Sequence, residues 1–165
     1  MATPASTSPT GLPPASGGAT VVPCLLVDDM PAALAFYIDA LHLRLVWASD
    51  AADAPVSVSD AARRADVAFG MLRGASGAEV MLQLRATLVT SDYLPAEAVA
   101  ASPPVGSPFT LYIRTGVDVD AAAAALPPSV EVLVPPRTMP YGARELALRD
   151  PAGHVVVLTR PAADN

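Results

Sequence analysis

The chain has 165 residues, of which 52% are hydrophobic and 16% are charged, so it holds enough apolar surface for a core and whole-chain disorder is excluded. The formal net charge is −6 at pH 7, and no basic patch is present to displace the counterions of a nucleic acid. The acidic balance is compatible with a cationic ligand, but it is equally an ordinary means of keeping a protein soluble.

The single cysteine excludes an intrachain disulfide and a CxxC zinc site, which favours a reducing cytoplasm. Residues 1–19 are rich in proline, serine, threonine, glycine and alanine, and they lack the charged start and apolar core of a signal peptide. We expect a disordered tail there and a second short tail at residues 161–165. No apolar run reaches the roughly 18 residues that span a bilayer. The sequence therefore predicts a cytoplasmic protein without a membrane or nucleic-acid partner.

Residues 20–160 predict one domain of two modules, and module one covers residues 21–86. The β-branched run Val21–Val27 predicts a strand, after which Asp28-Asp29-Met30-Pro31 supplies a helix N-cap and a proline for the first turn. Apolar residues at helical spacing extend this helix to Leu41. Three further strands are expected, at Leu43–Ala48, Asp66–Leu72 and Glu79–Arg85. The order of elements is βαβββ.

Module two, residues 108–160, repeats that order. A strand is expected at Phe109–Arg114, and an alanine-rich helix at Val117–Leu126 ends where Pro127-Pro128 begins. Three strands complete the module, at Val130–Val134, Arg144–Leu148 and Val155–Thr159. Between the modules, residues 87–107 predict a proline-containing linker with one helical turn at Ala96–Ala101.

The last two strands meet in a hairpin at Asp150-Pro151-Ala152-Gly153, where aspartate caps the turn, proline fixes φ and glycine allows a positive φ. Together with the run Val22–Met30, Ala35-Phe36-Tyr37 and Leu41-His42-Leu43, this hairpin resembles the vicinal oxygen chelate superfamily of glyoxalases, extradiol dioxygenases and bleomycin resistance proteins. The resemblance covers residues 21–160. It implies an α+β fold in which two βαβββ modules form a curved mixed sheet around a cup-shaped cavity.

The resemblance also implies four metal-ligand positions, one on the first and one on the fourth strand of each module. They fall on Val22, Gln83, Thr110 and Val157, with Phe109 or Pro108 in place of Thr110 if the register slips. Only Gln83 could bind a metal, and one neutral amide does not hold a divalent ion against water. We therefore expect no metal, no other cofactor and no catalytic residue of the metal-dependent type.

The branch that this pattern resembles most is that of the bleomycin resistance proteins. It implies a homodimer that binds a small organic molecule without catalysing a reaction. Sequestration of an antibiotic is the most specific version of this function. The alternative is an enzyme: a glyoxalase-like lyase, isomerase or dioxygenase with a displaced metal site, or a metal-free acid–base catalyst. A structural or regulatory dimer whose own side chains fill the cavity is a third possibility.

Strand alternation indicates which side chains face a ligand, because successive residues point to opposite faces of a sheet. Cys24 and Leu26 share one face, while Leu25 and Val27 turn to the helix. The same reasoning on the other strands predicts a mostly apolar pocket with a few polar anchors, which is typical of sites for organic ligands. The predicted ligand-binding residues are Cys24, Leu26, Trp47, Met81, Gln83, Arg85, Thr110, Tyr112, Arg114 and Val157.

Other reactive side chains have structural explanations. Cys24 would act as a nucleophile only if a cation or a helix N-terminus lowered the pKa of its thiol, and a buried cysteine more often packs as a small hydrophobe. His42 is expected in a connection and His154 at the start of the last strand. Asp118 and Asp120 complement the dipole of the second helix, so capping explains them first.

Overall fold

Two four-stranded mixed sheets, each covered by helix, form the fold of the computed structural model, which describes residues 21–59, 61–90 and 110–160. This is the predicted α+β fold. The tails at residues 1–19 and 161–165 and the expected helical turn at Ala96–Ala101 lie outside the described residues.

The strands of module one are β1 Cys24–Val27, β2 Arg44–Ser49, β3 Phe69–Arg73 and β4 Glu79–Leu84, and α1 Met30–Leu34 continues as a π-helix, Ala35–Ala40. They form sheet one in the order β1-β4-β3-β2, in which only the β1–β4 pairing is parallel. The segment after β2 contains a short 3-10 helix, Ala61–Asp66, where the sequence predicted the start of the third strand.

A helix, α2 Arg85–Thr90, directly follows β4. The elements of module two are β5 Thr110–Arg114, α3 Val119–Ala125, β6 Glu131–Thr138, β7 Arg144–Arg149 and β8 Val155–Arg160. Its strands form sheet two, which repeats the topology of sheet one with the order β5-β8-β7-β6 and a parallel β5–β8 pairing. The predicted βαβββ order is confirmed in both modules.

An aspartate caps the N-terminus of each module helix, as the sequences predict. The side chain of Asp29 accepts a hydrogen bond from the backbone N–H of Ala32 at 2.9 Å, and Asp118 accepts one from Ala121 at 2.9 Å. These bonds satisfy N–H groups that have no partner within the first turn of a helix. The first helical segment ends before His42, which adopts a positive φ of 58° and is exposed. His42 is therefore a connecting residue.

Alternation along the strands places one face of each sheet in a shared core. Leu82 and Val27 from sheet one and Leu146 and Val156 from sheet two are fully buried and belong to one contiguous apolar cluster with the first helix. Burial of this apolar surface is the main stabilising contribution to the fold. The opposite faces of the two sheets are therefore the ones available for a ligand.

A buried polar network connects the first helix to the β7–β8 turn. The Tyr37 hydroxyl donates to Asp150 Oδ2 at 2.9 Å, and Nδ1 of His154 lies 2.9 Å from the same oxygen. Asp150 Oδ1 accepts the backbone N–H groups of Ala152 and His154 at 3.0 and 2.7 Å. Gly153 has a φ of 91°, so the predicted hairpin is confirmed. His154 is buried in this network, which gives it a structural role.

The network predicts a loss of stability at alkaline pH. Burial, and then the charge of Asp150, raise the pKa of Tyr37 well above its ordinary value. The unfolded chain loses this proton from about pH 10 and the folded chain does not, so the free energy of unfolding should fall as the pH rises above about 10. The chain has no lysine, so only tyrosines and Cys24 titrate in that range.

Urea unfolding measured between about pH 9 and pH 11 checks this expectation. Tyr37→Phe should remove the largest part of this pH dependence and leave a smaller part that comes from Cys24 and Tyr141, whose pKa values are also raised in the folded chain, although it lowers stability at neutral pH. Tyr141→Phe is the control, because that side chain is 65% exposed and should leave most of the slope in place. An unchanged slope in Tyr37→Phe would contradict the assignment.

Candidate functional site

The candidate site consists of the two sheet faces that point away from the core, which we call the open faces. The strand registers define them, because paired residues in neighbouring strands share a face. The open face of sheet one carries Cys24, Leu26, Trp47, Phe69, Met71, Met81 and Gln83. The open face of sheet two carries Thr110, Tyr112, Arg114, Glu145, Ala147, Val157 and Thr159.

The open face of sheet one is apolar and rich in polarisable side chains. Cys24, Met81, Met71 and Trp47 lie side by side across all four strands. Trp47 packs edge-to-face on Phe69, with ring centroids 5.5 Å apart and an interplanar angle of 71°. Aromatic rings and thioethers adapt to an apolar ligand surface. This row brings together three of the residues that the sequence predicted to bind a ligand.

A second row on the same face supplies its polar group. Leu26 lies opposite Gln83 in β4, and Gln83 lies opposite Phe69 in β3. The Cys24 thiol is 3.9 Å from Gln83 Oε1, a long contact that leaves the amide available for a ligand. Gln83 is the natural anchor to orient a molecule on this otherwise apolar face.

The Cys24 thiol lacks the features of an activated nucleophile. It reaches the surface, yet the surrounding side chains exclude enough water to raise the pKa of the thiol above its ordinary value. A nucleophilic cysteine needs the opposite shift, toward a thiolate at neutral pH. Cys24 therefore lies on the candidate site as a small apolar side chain.

The predicted residues of sheet two are also brought to one face. Thr110, Tyr112 and Arg114 alternate along the edge strand β5 and are exposed, while Ile113 between them is buried in the core. Val157 lies opposite Tyr112 in the central strand β8 and is itself buried. This face thus has exposed polar and aromatic groups along its edge strand and the apolar side chain of Val157 on a central strand.

Glu145 is a polar residue of this face that the sequence analysis missed. It is 8% exposed, and its Oε1 accepts hydrogen bonds from the Tyr141 hydroxyl at 2.9 Å and the Thr159 hydroxyl at 3.2 Å. The bond to Glu145 is the main cause that raises the pKa of Tyr141. Alternation along β7, in which Leu146 and Leu148 face the core, is the signal that could have found Glu145.

Arg85 lies outside the strand on which the sequence predicted it. The sequence predicted it on the fourth strand, on the face of Met81 and Gln83, but β4 ends at Leu84 and Arg85 begins α2. Its Nε lies 3.4 Å from Asp28 Oδ1. The strand prediction was wrong by one residue, because the chain leaves the sheet where helix formation begins.

The sequence of the chain is matched by the model of a known family. The model of the Glyoxalase/Bleomycin resistance protein/Dioxygenase superfamily matches residues 19–158. The chain belongs to this superfamily. The resemblance carried by the β7–β8 hairpin and the first strand–helix unit is therefore confirmed. No curated protein sequence matches the chain.

Solved structures show the same fold as this superfamily member. A glyoxalase/bleomycin resistance protein/dioxygenase from Nocardioides has a TM-score of 0.58 and 18% identity, over 92% of this chain and 89% of that one. TioX from Micromonospora sp. ML1 has a TM-score of 0.61 and 18% identity, over 87% and 98%. A lactoylglutathione lyase from Agrobacterium tumefaciens has a TM-score of 0.58 and 18% identity, over 90% and 95%.

The positions that the superfamily resemblance assigns to metal ligands do not fit a metal. Val22 precedes β1, and the other three positions offer an amide, a hydroxyl and an alkyl group, at Gln83, Thr110 and Val157. Val157 also lies opposite Tyr112 instead of Thr110. In residues 21–59, 61–90 and 110–160, no three His, Cys, Asp or Glu side chains gather closely enough to hold a metal ion.

A separate groove of about 590 Å³ lies between the first helical segment and the β7–β8 turn. None of the predicted ligand-binding residues lines it. Its charged lining is already paired, since Asp39 binds Arg64 at 2.9 Å and Glu131 binds Arg149 at 3.1 Å. We place the candidate site on the open faces, where polar groups remain available.

Within the described residues, no helix is long and apolar enough to cross a membrane.

Proposed function

We propose that this superfamily member binds a small organic molecule on its open faces without a metal ion, and that its role is to sequester a toxic compound such as an antibiotic. The observation that carries this proposal is the open face of sheet one. There, Trp47, Phe69 and Met81 form an apolar surface around the single amide of Gln83. Apolar walls supply affinity for an organic molecule, and a sparse polar group supplies orientation.

The donor set supports binding over metal chemistry. A divalent ion in this superfamily needs several imidazole or carboxylate donors, and the aligned side chains are valine, glutamine and threonine. The thiol on the same face has a raised pKa, so covalent capture by a thiolate is also disfavoured. Equilibrium binding is the function that these residues support best.

We propose a homodimer as the functional unit, in which the open faces of two copies enclose the ligand. The resemblance to bleomycin resistance proteins implies such an assembly, with ligand crevices at the subunit interface. The exposed fractions of Tyr112 and Tyr141, 58% and 65%, fit a surface that a ligand or second copy covers. Protection by capture requires that the protein exceed the toxin and that the dissociation constant lie well below the toxic concentration.

Trp47 is the only tryptophan of the chain, so its fluorescence reports directly on the proposed site. We expect an aromatic, peptide or glycopeptide-like antibiotic to change this fluorescence saturably and to raise the melting temperature, because it binds only the folded state. Trp47→Ala should weaken binding about tenfold or more, as loss of an aromatic anchor usually does. Because the Trp47→Ala variant lacks the fluorophore, its ligand binding is measured by the rise in melting temperature.

Val58→Ala is the matched control, because Val58 is 43% exposed and lies outside both open faces. It should bind as the parent protein does. Turnover that depends on stoichiometric Fe, Mn, Ni or Zn and is abolished by chelation would overturn the binding function. Binding that changes equally in both variants would place the site elsewhere.

A further inference from the structure

One row of the open face of sheet two has a charge pattern unlike the rest of the molecule. Seven of the ten arginines lie within ion-pair distance of an aspartate or glutamate. Arg44, Arg114 and Arg137 form no ion pair with any described residue. Arg114 and Arg137 stand on the two edge strands of sheet two, β5 and β6.

The strand registers place these two arginines at the ends of a single row. Arg114 lies opposite Thr159, Thr159 lies opposite Glu145, and Glu145 lies opposite Arg137. Three strand spacings separate the arginine backbones, about 14 Å. Two long side chains that extend from opposite edges can both reach a group held above the two central strands.

The centre of this row holds one oriented hydrogen-bond acceptor. Tyr141 and Thr159 both donate to Oε1 of Glu145, which fixes the carboxylate. Its Oε2 receives no hydrogen bond from the described part of the chain. Arg137 is directly opposite Glu145 in the register but forms no ion pair with it. The row therefore has a net positive charge on a chain whose net charge is −6.

Two aromatic rings border the same row. Tyr112 precedes Arg114 by two residues on β5 and shares its face, and Tyr141 reaches Glu145 from the turn before β7. The charges of Tyr112 and Arg137 both affect the pKa of the Tyr141 hydroxyl, so these groups lie near one another. Exposed tyrosines offer flat surface to a planar ligand at a low entropic cost.

We propose that this row selects the ligand of the open faces: a planar organic carboxylate that also carries a hydroxyl or amine group. This inference rests on the proposed function and adds to it the chemical class of the ligand. The guanidinium groups of Arg114 and Arg137 bind the ligand carboxylate, because their fork of N–H donors matches its two oxygens. Glu145 Oε2 accepts a hydrogen bond from the hydroxyl or amine group of the ligand, and the tyrosine rings cover its planar part.

Binding of 4-hydroxybenzoate, benzoate and neutral 4-hydroxybenzamide to the full chain, measured by titration calorimetry, tests this selection. We expect 4-hydroxybenzoate to bind about tenfold more tightly than the amide, since one charge-assisted contact commonly contributes that much. The preference should weaken at high salt, because the arginines are exposed.

Arg114→Gln and Arg137→Gln should each remove most of the preference for the carboxylate. Arg44→Gln is the matched control, because Arg44 is also exposed and without an ion pair among the described residues, but lies on sheet one. Glu145→Gln should remove the advantage of 4-hydroxybenzoate over benzoate while it leaves carboxylate binding in place. Melting temperatures verify that each variant folds.

Equal binding of 4-hydroxybenzoate and its amide would overturn the inference, as would equal losses in Arg44→Gln and Arg114→Gln. Absence of saturable binding of all three probes up to millimolar concentration would overturn it too. If apolar antibiotics still change Trp47 fluorescence in any of these cases, the proposed function stands and only the ligand class falls. If the carboxylate probes bind as expected but no antibiotic changes Trp47 fluorescence, the ligand class stands and the proposed sequestration falls.

Discussion

Replacing Asp150 with alanine should lower the free energy of unfolding by at least about 3 kcal/mol. The Asp150 carboxylate is 3% exposed and accepts hydrogen bonds from Tyr37, His154 and two backbone N–H groups. Alanine would leave these donors buried without partners, and the cost of an unsatisfied buried donor exceeds the net gain of an average hydrogen bond. Urea unfolding at neutral pH, followed by circular dichroism, measures the loss.

Asp50 provides a matched control for this substitution. Its Oδ1 accepts the backbone N–H groups of Ala52 and Ala54 at 2.9 and 3.0 Å, a local pattern close to that of Asp150. Among the described residues it has no tyrosine or histidine partner, so Asp50→Ala should cost only about 1 kcal/mol. Similar losses in the two variants would contradict the importance of the Tyr37–Asp150–His154 network.

Asp150→Asn separates shape from charge at the same position. The amide keeps the Oδ1 acceptor for the turn but presents an N–H group toward Tyr37 and His154. We expect a loss between those of Asp50→Ala and Asp150→Ala, because the tyrosine hydroxyl can accept a hydrogen bond from the amide while the neutral imidazole can do so through an unprotonated nitrogen. A full loss in Asp150→Asn would assign most of the effect to the charge.

Local patterns made most of the fold predictable. The caps at Asp29 and Asp118, the hairpin at Asp150 and the alternation on β5 and β8 all depend on residues close in sequence. Strand alternation has a period of two, so the face of Cys24 and Leu26 follows once one buried neighbour, such as Leu25, is known. The βαβββ order of elements along the chain could therefore be predicted directly from the sequence.

Contacts between distant segments were harder to predict. One partner of Glu145, Thr159, comes from β8, so the role of Glu145 depends on the β7–β8 register. Arg137 reaches the same row only because β6 contains irregular register steps between Val132 and Arg137. Such steps change which side chains share a face. Pro135 and Pro136 lie within this edge strand, where a missing N–H donor is tolerated.

The first and last residues of two elements were also predicted wrongly. Asp66 was expected to start a strand, but it ends a 3-10 helix in which Arg63 Nε donates to its carboxylate at 2.8 Å. Arg85 was expected to end a strand, but it starts a helix and pairs with Asp28 from the loop after β1. Strand alternation takes no account of such ion pairs, so it could not predict where these two elements begin and end.

Leu82 and Met81 should separate stability from binding, because they are neighbours on β4 with opposite orientations. Leu82 is fully buried in the core, whereas Met81 is half-buried on the open face between Cys24 and Met71. Leu82→Ala should lower the free energy of unfolding by about 2–5 kcal/mol, through lost burial and the cavity that remains. Met81→Ala should cost less than Leu82→Ala, since part of the Met81 side chain contacts water in the folded chain.

The effects on ligand affinity should be reversed. Met81→Ala should weaken an organic ligand of the open face about tenfold, because the thioether is part of its contact surface. Leu82→Ala, measured below its unfolding transition, should bind almost as tightly as the parent protein, because Leu82 faces the helix. Urea unfolding and Trp47 fluorescence titrations supply the two measurements. A Met81→Ala variant that loses stability without losing affinity would show that this face is packed inside the protein and does not bind a ligand.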